Sequence, residues 1–537
     1  MKIIYNGNIY LEKNSFAEAI CIENGKILSV GSSEEILKLA NESTTLIDAK
    51  KNSVIPGFND SHLHLYSVGT ALQSVQLYGS KSIGETIEKG REFILKNSIP
   101  SGEFVVGRGW NQDYFTDENR MLTKHDLDAI STEHPILYKR ACGHLAVCNS
   151  KALEICNITK DTPQIEGAEF YYGDDGEPNG IFTEEAIDLI VKNIPEPSID
   201  DMVKTIDLAS NYALSHGITS VHTNDIKDEN YSLMLEAYTK AFSLNSLKPR
   251  VYHQCFFSTP ELFKNFIKDG YATGAGDSFN KIGPLKMFVD GSLGARTALL
   301  RNPYSDDKST SGITCLTQNQ LDTMVSVAHN NNCQVAIHAI GDKAIEMVLD
   351  SYDKVIEKKN INRHGIVHCQ ITDKPLLERF IKNDILAYVQ PIFIHYDMNI
   401  TENRVGKELA NTSYAFGDMN RLGIKLSYGS DSPVEDLNTF DNLYCAVTRK
   451  DLNASPSEGY YPEQRVSLSD AIHLYTSASA YGSFEEDIKG KLLPNYFADL
   501  VILDRDIFSS DIENLRDTKV LMTMVNGEIA YKKYLRS

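Results

Sequence analysis

The chain carries a single tryptophan in 537 residues, and its nine cysteines keep apart. Cys21, Cys142, Cys148, Cys156, Cys255, Cys315, Cys333, Cys369 and Cys445 form no CxxC pair and no regular disulfide spacing. That scatter argues against a cysteine-based metal module and a disulfide-stapled secreted domain, and predicts reduced thiols in a cytoplasmic protein. No run of about 18 apolar residues occurs, so no membrane-spanning helix is expected. The opening "MKIIYNGNIYLEKN" alternates apolar and polar positions and lacks a small-residue cleavage site, unlike a secretory signal. Basic clusters are missing too. Lys and Arg total 53 against 73 Asp and Glu, a net charge of −20, so nucleic acid would be repelled.

What is present belongs to an ordinary soluble globular chain. Hydrophobic residues make up 42% and charged residues 23%, with a mean hydropathy of −0.28. The length suits a barrel plus one or two further domains. Both ends read as short β segments. Asn-Gly pairs at Asn6-Gly7, Asn24-Gly25 and Asn526-Gly527 lie between β-rich runs and predict hairpins. Residues 1–55 and 485–537 are expected to meet as one small composite β-sandwich.

Between them, apolar β runs alternate with amphipathic helical stretches, the pattern of parallel βα units. Eight runs qualify: "VIPGFND", "ITSVHTN", "RVYHQCFF", "LKMFVDG", "QVAIHAIG", "HGIVHCQ", "ILAYVQP" and "IKLSYGSD". Eight such units predict an α/β fold, a (β/α)8 TIM barrel over 56–484. The spacing breaks once, after the first strand, where residues from Tyr66 to Gly217 intervene. "FVVGRGW", "PILYKRACGH" and the hairpin-like "EFYYGDDGEPNG" predict an inserted subdomain over about 75–200.

The strand ends carry the chemistry. The first run leads into His62-x-His64, and two imidazoles at i and i+2 of an extended chain face one point. The fourth strand carries Lys286, the fifth ends in His338, the sixth in His368 and the eighth in Asp431. In a barrel these C-terminal ends converge. Imidazole and carboxylate suit Zn²⁺ and similar divalent ions, one or two per chain. A protonated lysine cannot ligate, but a carbamylated Lys286 would offer two oxygens to bridge two metals. A lysine among histidines and cations is driven toward the neutral amine able to react with carbon dioxide. Asp431 could bind metal and accept a proton from water. Duller readings stand beside these. Each histidine alone could be structural, and Lys286 could pair with Asp290.

The motifs "VIPGFNDSHLHL", "GRGWNQDYF", "RACGHLAVCNSKAL", "EPNGIFTEEA", "GITSVHTND", "KMFVDGSLGARTALL", "VAIHAIGDKA", "HGIVHCQ" and "GSDSPV" span Val54 to Val434. Together they resemble the amidohydrolase superfamily, and most closely amidohydrolase family 3, the group with enzymes similar to N-substituted formamide deformylase. The resemblance implies a barrel of the metallo-dependent hydrolase type. It implies His62 and His64 on the more buried metal, Lys286 as a carboxylated bridge, and His338 and His368 on the second metal. Asp431 would be ligand and general acid/base. One position departs from the pattern: an acidic residue usually precedes the sixth-strand histidine, and here it is Val367. One metal or two therefore both stay open.

The resemblance also implies that the insertion lines the substrate pocket through Trp110, Gln112, Tyr114 and His144, with Arg296 and Asp342 as further contacts. Core packing is the alternative for Trp110, and a helix cap for Asp342. The reading that follows is hydrolysis of a non-peptide C–N bond, amide or formamide-like, in a small molecule. The rivals are a one-metal deaminase of a heterocycle and a non-catalytic metal-bound regulatory binder. "HAIGD" lacks the H-x-x-E spacing expected of the deaminase. The expected partners are a small-molecule substrate and, at most, further copies of the chain.

Overall fold

The computed structural model describes residues 1–165 and 167–533. Two compact units divide the chain, one of Met1–Ser67 with Ile206–Ser537, the other of Val68–Thr205.

The larger unit is built on an eight-stranded sheet. Its strands are β1 (Phe58–Leu63), β2 (Ile218–Lys227), β3 (Arg250–Phe256), β4 (Asn280–Phe288), β5 (Val335–Ala339), β6 (Gly365–His368), β7 (Leu386–Val389) and β8 (Lys425–Tyr428). Each pairs in parallel with the next in chain order. All eight sequence runs contribute a strand here, although Val54–Pro56 of the first belongs to a terminal sheet, and the all-parallel order makes the TIM barrel. The strands lack clean alternation because both faces are covered, as parallel sheets require. Between β8 and β1 the seam closes through the loop after β8. Asp431 N–H donates to His62 O at 2.8 Å, and His64 N–H to Ser432 O at 2.9 Å. Gly429 permits this approach, since a Cβ there would sit 2.7 Å from His62 N.

Helices cross between strands with local signals at their starts. Thr259 caps Pro260–Lys268, Thr317 caps Gln318–Asn330 with a reciprocal Gln320, and Asp373 caps Lys374–Asn383. Pro260 and Pro375 sit in the first turn, where a missing N–H costs nothing. No helix among the described residues is long and apolar enough to cross a membrane.

The chain ends supply two more sheets. One runs Lys26–Gly31, Ala19–Glu23, Lys2–Tyr5, Thr45–Asp48. The other runs Glu528–Lys532, Val520–Val525, Leu500–Leu503, Ser53–Pro56, Asn8–Glu12, Ser15–Ala17, mixing both termini. Ile4, Ile20, Ile22, Ile9, Val54, Leu500 and Met524 share one apolar cluster.

Two of the three Asn-Gly pairs close hairpins, with φ of 50° and 78° at Asn24-Gly25 and 52° and 74° at Asn526-Gly527. Asn6-Gly7 does not. The strands on either side of it lie in different sheets, Lys2–Tyr5 beside Ala19–Glu23 and Asn8–Glu12 beside Ser15–Ala17. The backbone there turns out of one sheet into the other. Gly7 is hemmed by Ala49, Ile9 and Val54, with 3.1 Å from a Cβ to the first, so packing and not strand pairing sets the turn.

Barrel and terminal sheet are tied by a buried pair. Arg250, at the start of β3, donates to Asp499 Oδ2 at 2.7 Å and Oδ1 at 3.2 Å. Its guanidinium lies between the rings of Phe279 and Phe497 at 4.4 and 3.8 Å.

The smaller unit holds a six-stranded sheet in the order Phe170–Tyr172, Pro178–Thr183, Leu145–Cys148, Ile136–Arg140, Val105–Trp110, Val75–Gln76. Helix Ile83–Asn97 covers one side, with Ile83, Val105, Trp110, Leu127 and Tyr138 in a common core.

Candidate metal centre

Asp60, His62 and His64 follow one face of β1 and its extension. Asp60 is fully buried and spends its carboxylate on structure, accepting from Tyr475 OH at 2.9 Å, Ser430 N–H at 3.1 Å and His62 N–H at 3.1 Å. Burial pushes its carboxyl up to about 7, against those hydrogen bonds. The two histidines beyond it are free to point at the barrel mouth.

There the ligand atoms of His62, His368 and Asp431 lie within 4.8 Å of one another, all buried. His62 Nε2 is 3.3 Å and His64 Nε2 3.4 Å from Asp431 Oδ1. His368 packs against His62 with ring centroids 5.6 Å apart and against His338 at 4.4 Å. His368 and Asp431 both have left-handed backbones, φ 79° and 57°. β6 thus breaks at its ligand and Asp431 turns in the loop just past β8, which takes each side chain out of its strand's own alternation.

Every imidazole is oriented by an acceptor on its other nitrogen. His62 Nδ1 faces Gln254 Oε1 at 2.6 Å, His64 Nδ1 the Asn224 carbonyl at 3.1 Å, and His368 Nδ1 Gln390 Oε1 at 2.8 Å. With Nδ1 donating, each Nε2 keeps its lone pair for the centre. His338 is held in the opposite sense, Nε2 donating to the Gly291 carbonyl at 3.0 Å, which leaves Nδ1 as its free nitrogen. Asp290 Oδ1 lies 3.4 Å from the same Nε2 and accepts from the Ile340 N–H, its partner oxygen from the Gly341 and Leu299 N–H groups.

Lys286 lies fully buried on β4, with Nζ 4.3 Å from the Phe288 ring centroid and no hydrogen-bond partner among the described residues. Its carboxylate alternative, Asp290, is engaged by backbone instead. Burial pulls the ammonium down to about 7. Desolvation, with the Lys286 charge adding to it, likewise pulls His62 down to about 4. His368 falls well below its usual range, first by burial and then by His338. Burial opposes ionisation of Asp431, yet His62 and His64, whose Nε2 atoms adjoin its carboxylate, hold it well below the carboxylate range. His64 is pulled down by desolvation but ends raised, because Asp431 and Asp225 outweigh it.

Imidazole nitrogens turned toward one point, an ionised carboxylate and a buried amine with no hydrogen-bond partner among the described residues fit a divalent cation.

The comparisons agree. The sequence matches the model of the amidohydrolase family over residues 45–531. The chain belongs to the amidohydrolase family. It is 32% identical over 542 residues to the Bacillus subtilis protein named as amidohydrolase YtcJ, covering 99% of this chain and all of that one. Similarity to the N-substituted formamide deformylase of Arthrobacter pascens is 25% over 555 residues, 99% of this chain and 98% of that one. Among solved structures, a metal-dependent hydrolase from Pyrococcus furiosus aligns with a TM-score of 0.76 and 31% identity, covering 94% of this chain and 99% of that one. This amidohydrolase is a metal-dependent hydrolase with a divalent-metal site.

The remaining residues singled out from sequence are placed as follows. Trp110 is fully enclosed in the core of the smaller unit, its ring 6.4 Å from Phe115 and its N–H bonded to Tyr138 O at 3.2 Å. Those are the surroundings of a packing residue. Gln112 accepts from Arg140 at 2.9 Å, Tyr114 is 55% exposed beneath Lys81, and His144 pairs with Glu184 at 2.9 Å on the surface. Arg296 pairs with Asp306 at 2.9 Å. Asp342 opens helix Asp342–Val355 at its first turn, after Gly341 as the cap, and accepts from the Arg301 and Lys343 N–H groups. The orienting residues Gln254, inside β3, and Gln390, just past β7, carried a signal that the sequence reading passed over, a polar residue in or beside an apolar run, whereas Asp290, two positions past β4, was weighed there only as a partner for Lys286. Asn224 acts through its backbone and left none.

Proposed function

We propose that the protein hydrolyses a non-peptide C–N bond, an amide or formamide, in a small molecule. The observation that carries this reading is the set of imidazoles with Nε2 freed around the ionised Asp431, beside the unpartnered Lys286. His62 and His64, with Asp431, would hold the first cation, His368 and His338, the latter through Nδ1, would hold a second, and Lys286 as a carbamate would bridge the two. A divalent cation in such a site supplies a Lewis acid for the carbonyl and lowers the pKa of water toward about 7.

The chain's own groups do the rest. Asp431, ionised and 3.3 Å from His62, is placed to take the proton of the attacking water and deliver it to the departing nitrogen. Half-buried Phe288 and Phe393 pack against the rings of His338 and His368 and would limit the approach of bulk water to them. The relationship to a formamide deformylase supports the amide reading over heterocycle deamination.

The experiment is elemental analysis of metal per chain, followed by a screen of the metal-loaded protein on formamides and other amides, with purines and pyrimidines tested for ammonia release. Amide turnover that depends on metal is expected. Ammonia release without amide turnover would replace this reading with a deaminase.

A further inference from the structure

Next to the metal centre, the loops after β4 to β8 enclose a cavity of about 200 Å³. Its walls grow directly out of the ligands. Ser292 follows Gly291, whose carbonyl holds His338. Phe393 stacks on the His368 ring at 6.1 Å and 12°. Val434 N–H donates to Asp431 O at 2.9 Å. A group attached to a bond poised at the centre has this cavity within reach.

The cavity is acidic, and none of the residues lining it is basic. Asp397 and Glu435 face it. Asp397 accepts from Tyr414 OH at 2.6 Å, yet burial, with Glu435 adding to it, pushes its carboxyl up to about 6. Among the described residues, the Glu435 carboxylate meets His395 Nε2, at 3.2 Å. Phe393 and Tyr396 present aromatic faces. A further observation points to a ligand. Gln370, 3% exposed, also lines the cavity, and its side-chain amide makes no hydrogen bond to any described residue. A buried amide left unpaired is costly unless something else satisfies it.

We propose that this cavity selects substrates bearing a cationic ammonium or guanidinium group, with Glu435 and Asp397 as specificity-determining carboxylates and Gln370 as a third polar contact. This rests on the amide-hydrolase reading for the reaction, but the charge preference belongs to the cavity itself. The cation gains charge-assisted hydrogen bonds from two carboxylates and attraction to the aromatic faces. A neutral competitor leaves the half-buried Asp397 and Glu435 with His395 alone as a positive neighbour, so discrimination comes as much from the penalty as from the attraction.

The test titrates the metal-loaded protein by calorimetry with n-propylguanidinium and n-propylurea, which share a planar shape and differ in charge. The guanidinium is expected to bind at least tenfold more tightly at low salt. Glu435→Gln and Asp397→Asn should each shrink that ratio at least threefold with metal content unchanged, and Gln370→Leu should weaken both probes. Equal affinities, tighter urea, or no binding of either probe overturns the proposal. A formamide carrying a terminal ammonium is then compared with its hydroxyl analogue. Equal kcat/KM for the two overturns cation selection while leaving amide hydrolysis standing. Tighter guanidinium binding without turnover of either formamide upholds the cation site and rejects amide hydrolysis.

Discussion

Gln390 Oε1 lies 2.8 Å from His368 Nδ1, so a side chain at the end of β7 decides which nitrogen of β6's histidine faces the centre. In this chain that support comes from the neighbouring strand, because Val367, directly before the histidine, is fully buried in an apolar cluster with Ala336, Leu386 and Tyr388.

Removing such an acceptor frees the ring to rotate or change tautomer. Gln390→Leu and Gln254→Leu should each weaken metal binding about 10- to 100-fold without unfolding the protein. Gln390→Glu keeps an acceptor and should restore most of the loss. Competition against a chelator of known affinity measures this, and unchanged affinity in both leucine variants would contradict the orienting role.

Lys286 gives a pH signature in the metal-free protein. Its ammonium falls to about 7 when folded, against roughly 10.4 in an unfolded chain. Below the folded value both states carry the charge, and the cost of burying it is complete. Between the two values the folded state has lost its proton while the unfolded state keeps it, so the cost shrinks as pH rises. Lys286→Met should therefore raise Tm near pH 7, with an advantage that fades toward pH 10. Thermal melts of both proteins across that range check it. In Lys286→Ala, which leaves room beside the centre, metal content should drop and recover in part when a small carboxylate is added.

Asp431→Asn preserves size while removing the base. Turnover should fall about 10²- to 10⁴-fold, with metal still bound through the histidines. Single-turnover rates read beside metal analysis would show it, and an active Asn variant would reject Asp431 as the proton carrier.

The Arg250–Asp499 pair is a structural test away from the chemistry. Arg250→Met leaves Asp499 buried with only the Asn526 N–H, at 2.7 Å, as donor. A loss of about 3–5 kcal/mol in stability is expected, read from denaturant unfolding. Metal affinity of the folded fraction should hold.

Much of the barrel was legible because each strand is a short apolar run whose catalytic-looking residue falls where the run stops. His62, His338, His368 and Asp431 could be aligned that way, and the structure brings them together. Asn6-Gly7 misled because a pair that favours a tight turn says nothing about which sheet the next strand joins. That choice is made by Ala49 and Val54, distant in sequence. The orienting glutamines were visible but ambiguous, since a lone Gln at a strand end looks like any polar edge. Trp110 was read as a substrate contact through its motif, with core packing as the alternative, and it packs against Phe115 and Tyr138.

The strand Ser53–Pro56 leads straight into the metal ligands. It is bordered on one side by Asn8–Ile9 and on the other by Val501–Ile502 and Leu500. During synthesis its first neighbour emerges at once, but its second emerges only after the whole barrel has been made. Until then the nascent chain carries an open strand edge beside its future metal site, an invitation to wrong pairing. Assembly of the amidohydrolase therefore finishes at the seam where its beginning and its end meet. Losing the stretch around Leu500 would unfasten the approach to His62 and not merely shorten a tail.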